Sequence, residues 1–121
     1  MKTILILLIL LIPIHSFADF IHPMEFDGSE TQKNRVIEII KERVKKDYCQ
    51  SGIDMCQDTT LRMMEQENLN AFKESTKAGN KKIMDRVIKD YCKSGIDMCS
   101  YSTILMMYKE NLNASKKKLD W

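Results

Sequence analysis

The stretch Lys46-Asp-Tyr-Cys-Gln-Ser-Gly-Ile-Asp-Met-Cys56 returns as Lys89-Asp-Tyr-Cys-Lys-Ser-Gly-Ile-Asp-Met-Cys99, 43 residues further along the chain. The match extends without a gap from Ile40–Lys73 to Ile83–Lys116, with 22 identities in 34 positions. The chain is therefore read as a duplicated unit with one cysteine pair per copy. A period of this length fits a helical hairpin, which cannot bury its own apolar stripe and needs a neighbour to cover it.

Working outward from the first cysteine pair, Val36, Ile37, Ile40, Val44 and Tyr48 recur at three- and four-residue intervals and predict a helix from Ser29 to Cys49. Ser29-x-x-Gln32 has the form of a capping box. Gly52 follows the last periodic residue, where a left-handed helix stop suits glycine, and Ile53 can fold back on the final turn. Asp58 or Thr59 can cap a second helix carrying Leu61, Met64, Ala71 and Phe72 on one face. Lys77-Ala78-Gly79-Asn80 breaks the pattern, which restarts with Ile83, Met84, Val87, Ile88 and Tyr91. Gly95 repeats the stop, and Ser100 or Ser102 caps a fourth helix with Ile104, Met107, Tyr108 and Leu112 inward. The expected fold is all-α: two tandem helix–bend–helix repeats, residues 29–78 and 81–121, packed as a four-helix assembly with approximate two-fold symmetry.

Residues 1–18 have the form of a signal peptide: Lys2, an apolar run over Ile4–Ile14, and Ser16-Phe17-Ala18 as a cleavage site. Eleven apolar residues interrupted by Pro13 fall short of the roughly 20 needed to span a bilayer, which disfavours an uncleaved anchor. Cleavage would leave Asp19 as the first residue and residues 19–28 as an extended arm outside the repeat. That arm carries Phe20, Ile21, Met24 and Phe26, and it either packs on the bundle or meets a partner.

The implied oxidising compartment, secreted or periplasmic, sets the reading of the four cysteines. Three connectivities are possible, and a unit closed on itself before duplication gives Cys49–Cys56 and Cys92–Cys99. The other two connectivities would cross-link the copies. A zinc site on the same four residues has the right ligand number, but the gap is wider than the usual two to four residues. Neither Cys-x-x-Cys nor Cys-x-x-Cys-His occurs, so thiol exchange and haem attachment lack their motifs.

Catalysis has little to draw on. The one histidine beyond the leader is His22, on the arm, and no phosphate-cradling glycine loop, nucleophile elbow or His-Glu-x-x-His is present. Asp47, Asp54, Asp90 and Asp97 recur in the copies and read as turn and helix-end hydrogen-bonding groups. Asn68 and Asn111 fall inward and can fix register across the interface. Tyr48 and Tyr91 are expected to cover the disulfides, with their hydroxyls toward solvent or Asp54 and Asp97.

The formal charge is only +2 for the full chain, which argues against a nucleic-acid partner. Residues 19–80 carry 9 basic and 12 acidic side chains and residues 81–121 carry 9 and 5, a difference that fits drift, copies that attract one another, or a cationic partner face on the second copy. Met55 and Met98 recur in the bends, and Met63-Met64 and Met106-Met107 on the second and fourth helices. Methionine fills cores, serves as a soft copper(I) ligand, or forms a tolerant docking surface.

The expected function is binding of a protein partner in the cell envelope, with no catalysis, no cofactor and no metal. Phe20, Met24, Phe26, Met63 and Met106 are the candidate contact residues. In class, the exported, disulfide-stapled helical plan resembles the immunity proteins that neutralise cell-wall amidases in the periplasm. That resemblance implies an inhibitor-type role. A copper or small-ligand carrier and an envelope stress chaperone or structural protein are the alternatives. Exported protein should begin at Asp19 and show no titratable thiol before reduction, which intact-mass measurement and an Ellman assay check. A longer N-terminus or a free thiol contradicts the reading.

Overall fold

A computed structural model describes residues 20–50, Gly52 and residues 54–121; the expected leader, its cleavage point and Ile53 lie outside the described residues. Four α-helices account for the fold: α1 (Glu30–Cys49), α2 (Asp58–Ser75), α3 (Lys81–Ile88) and α4 (Tyr101–Ser115). No strand occurs among the described residues.

The helix ends show why the chain breaks where it does. Ser29 Oγ accepts from the Gln32 amide at 3.2 Å, as a capping residue should. The reciprocal half of the box is displaced: Gln32 Oε1 accepts from the Asp27 amide at 2.9 Å, because the Ser29 amide already donates to Asp27 Oδ1. The cap of α2 is Gln57, one residue before Asp58 and two before Thr59, the predicted caps; Asp58 lies inside the first turn and no side chain caps the helix. Asn80 and Ser100 cap α3 and α4 through their own side chains. Gly52 and Gly95 take φ of +79° and +85°, the left-handed region open to glycine at little cost. One departure from a plain α-helix follows α3, where Lys89–Lys93 forms a π-helical turn that carries Cys92.

Both bends are closed by the preferred disulfides, Cys49–Cys56 and Cys92–Cys99, each with a Cα–Cα distance of 4.7 Å. In the chain-entropy account, closing a loop of this size contributes about 2.5 kcal/mol per bridge.

α1 packs on α2, α3 on α4, and α2 joins the two hairpins by packing on α4. The joining contacts fix its direction. Asn68 Oδ1 accepts from the Ser102 amide at 3.1 Å, while its Nδ2 donates to the Met64 carbonyl. Further along both helices, Lys109 Nζ meets Glu74 Oε1 at 2.5 Å. Contacts thus advance together, so α2 and α4 run the same way. The sequence equivalent of Asn68 is Asn111, nine residues past Ser102, so the second hairpin is displaced along the helix direction by roughly 13 Å at 1.5 Å per residue.

This corrects the expected two-fold. An isologous pairing would bury equivalent residues in both copies. Instead Met84, Ile88, Tyr101 and Tyr108 are buried, whereas Lys41, Lys45 and Asp58 at the equivalent positions are exposed and Glu65 is half-buried. Phe72 is buried and its equivalent Ser115 exposed. Unlike faces meet, and Asn68 fixes register while Asn111 stays exposed.

The arm is also not extended. Pro23–Glu25 forms a 3-10 turn, opened by His22, whose Nδ1 accepts from the Met24 amide at 3.1 Å. Pro23 is buried, and Phe20 packs against the apolar clusters of both hairpins. A file of rings crosses the seam: Phe26 on Phe72, Phe72 on Tyr101 and Tyr101 on Phe20, with centroids 5.1, 4.8 and 4.9 Å apart. Tyr101 also donates its hydroxyl to the Ile21 carbonyl at 3.0 Å, and burial pushes its phenol well above the ordinary range.

The unlike-face packing has a direct test. Tyr101→Asp places a carboxylate in the seam and should unfold the domain, a loss of at least about 4 kcal/mol. The reciprocal Asp58→Tyr, at an exposed helix start, should cost under about 1 kcal/mol. Urea titration of both variants measures the difference, and equal losses would restore the two-fold.

Candidate docking surface

Two grooves flank the joined hairpins. The first lies between α1 and α3 on the arm side, has a volume of about 800 Å³, and is lined by Phe20, Ile39, Arg43, Asp85 and Asp97 among others. Its polar groups are largely tied to one another. Arg43 donates to Asp47 at 3.0 Å on its own helix and to both the carboxylate and the carbonyl of Asp97 in the second bend, at 2.5 and 2.8 Å. Lys46 grips the other carboxylate oxygen of Asp97 at 2.5 Å. These bonds, from Lys46 and then Arg43, hold the Asp97 carboxyl below its usual range. Burial works against the Arg43 charge, but the bonds to Asp97 and Asp47 outweigh it and raise its pKa.

At the groove's far end Lys81 binds Asp85 at 3.0 Å, and His22 Nε2 lies 2.7 Å from the same carboxylate. Hydrogen bonds from Lys81 and then His22 keep Asp85 low. With Nδ1 accepting from Met24, the proton of a neutral His22 ring sits on Nε2 and points at Asp85. These pairs tie the arm and the second bend to the helices.

The second groove is shallow, about 700 Å³, and runs between α2 and α4, with no residue of the arm in its lining. Its floor is Ala71 and Leu105; Met63 and Met106 stand on its walls. Met63 is 62% and Met106 56% exposed, the values that separate them from the filler methionines Met64 and Met107, which pack against the core. The rim is polar: Gln66 bonded to Asn70, Glu67, and Glu74 paired with Lys109.

The sequence-chosen contact residues therefore separate. Met63 and Met106 come together on one open surface. Phe20, Met24 and Phe26 do not join them: all three are half-buried against the core, so their apolar area is used in folding. Arg43, Lys46 and Leu105 carry more of the geometry than their sequence positions suggested; a repeated Arg-x-x-Lys facing a repeated bend aspartate was the available signal. Tyr48 and Tyr91 are half-buried beside the two clusters, and Asp97 is held by Arg43 and Lys46 in place of a tyrosine hydroxyl.

All four cysteines are paired, so no thiolate is left as a soft-metal donor. No cluster of His, Cys, Asp and Glu suited to a metal occurs among the described residues. Among the described residues no helix is long and apolar enough to cross a membrane. Comparison with known proteins finds no matching family model, no similar curated protein and no similar solved structure.

The clamp on Asp97 sets a pH dependence. Its folded pKa lies below the ordinary 3.8, so its stabilisation is complete above that value and is lost as pH falls through the lower folded one. Asp97→Asn should lower the melting temperature at pH 7 and flatten part of the acid limb of the stability curve. An unchanged limb in thermal melts from pH 6 to 2 would show that the clamp does not hold.

Proposed function

We propose that this chain is an exported, envelope-located binding protein of inhibitor or immunity type, built from two copies of one stapled hairpin, with no catalysis of its own. The observation that carries this reading is the α2–α4 groove, where two large methionines stay exposed above an apolar floor inside a rim of paired polar groups. A polarizable, unbranched side chain adapts to a partner's shape at low cost, and a polar rim excludes water around it. Two disulfides fit an oxidising, non-cytoplasmic setting. The rigid seam holds both walls of the groove in place before a partner arrives, which lowers the ordering cost of association.

The test is retention of a partner from envelope extract on immobilised mature protein, compared with Met63→Glu/Met106→Glu. Both side chains are exposed, so the double variant should melt within about 2 °C of the parent. Loss of at least tenfold in retained partner is expected for the double variant, with Met55→Glu/Met98→Glu as the control that keeps binding. Equal retention by all three proteins overturns the assignment of the groove.

A further inference from the structure

The side of α3 turned away from the core carries Lys82 and Arg86, and Lys89 continues it at the start of the π-helical turn, at i, i+4 and i+7 spacing. All three are exposed, and among the described residues the one ion pair on them is Arg86 to Asp90 at 3.9 Å, with the Arg86 side chain 83% exposed. Arg86 and Lys89 are the sequence equivalents of Arg43 and Lys46, the two residues that seize Asp97. Asp90 repeats the supporting Asp47. α3 and the turn after it thus repeat the residues of the aspartate clamp, with Arg86 turned out to solvent.

Around the repeated residues two positions gain a lysine, while Arg35, which lines the groove beside Arg43, gives way to Ala78 and Glu42 to Asp85. Ile39, which packs against the first apolar cluster beside the occupied clamp, is replaced by Lys82 at the equivalent place. Farther on, Gln50 is replaced by Lys93, also exposed. Apolar support has been exchanged for positive charge. A third hairpin or a second copy of this chain would want the apolar support back, and its own contact faces, at Asp58 and Ser115, have turned polar. A loop richer in carboxylates than this chain's own bend is what the altered clamp complements.

We infer that the Lys82–Arg86–Lys89 face of α3 is a docking site for an acidic loop of a partner protein, gripping an aspartate as Arg43 and Lys46 grip Asp97. This rests on the binding reading of the chain, but on a different surface from the methionine groove.

The probe is the disulfide-cyclised octapeptide with the sequence of residues 92–99 and Lys93→Glu, titrated into ¹⁵N-labelled mature protein and followed by amide chemical shifts. Shifts confined to residues 82–90 and still unsaturated at about 10 mM peptide are expected, because two exposed ion pairs contribute about 2 kcal/mol at most. The Asp→Asn peptide should bind roughly tenfold more weakly, as should Arg86→Glu/Lys89→Glu protein, and raising NaCl from about 50 to 500 mM should weaken the parent pair. No shift in α3, or equal binding of the Asn peptide, overturns the proposal. So does tighter binding of phosphatidylglycerol vesicles or of a single-stranded oligonucleotide to this face, which would assign it to a phosphate-bearing surface. Concentration-dependent self-association abolished by Asp54→Asn would overturn it in favour of a second copy. Each readout is local to α3, so failure here leaves the result at Met63 and Met106 standing, and the reverse.

Discussion

The ring of Tyr101, held between Phe20 and Phe72 with its hydroxyl on the Ile21 carbonyl, is the contact on which the structure turns. A disulfide-closed helical hairpin still exposes one apolar stripe, and neither hairpin of this chain is large enough to hide it alone. Tyr101 belongs to the second hairpin, Phe72 to the first, and Phe20 to the segment before both. The three elements meet at one side chain. Tyr108 repeats the device lower down, accepting from the Asn80 amide at the entry to α3. Each phenol buries its ring and finds a backbone partner for its oxygen, which avoids an unsatisfied polar atom in the seam.

Legibility from sequence followed the range of the interactions. Bends, helix phases and cysteine pairing depend on contacts within about ten residues, and the repeated Ser-Gly-Ile-Asp-Met-Cys stretch encodes them twice. The manner in which the copies meet is a long-range property, and identity between them misleads about it: likeness of sequence suggested likeness of environment. The information lay in the differences. Lys41 against Met84, Lys45 against Ile88, Asp58 against Tyr101 and Phe72 against Ser115 are the substitutions expected when one copy's front covers the other's back. The arm is ambiguous in sequence for a related reason. Its Pro23 and aromatic residues suit either a partner or the chain itself, and only the seam's geometry decides for the chain.

The same logic explains the unequal fate of two identical bends. Asp97 is clamped because the second hairpin's displacement carries its bend onto α1, within reach of Arg43 and Lys46. Asp54 stands at the free end of the first hairpin, exposed, and Arg86 and Lys89 stand at the free side of the second. Displacement without closure always leaves one unmatched half of each contact at either end. A chain that kept both halves with their apolar support would be free to add further copies end to end.

This chain has altered the apolar part and kept the polar part. Ser115 in place of Phe72 and Asp58 in place of Tyr101 remove the rings that would carry a growing array, as terminal units of helical arrays require polar outer faces for solubility. Exposed ion pairs alone contribute little to association, so the residual clamp cannot assemble the chain with itself at ordinary concentration. What it retains is the pair of basic residues, without the apolar area of the seam. Stability therefore resides on one side of each hairpin, and the surfaces proposed for recognition, the methionine groove and the basic face of α3, lie on the others, where substitution costs the fold little.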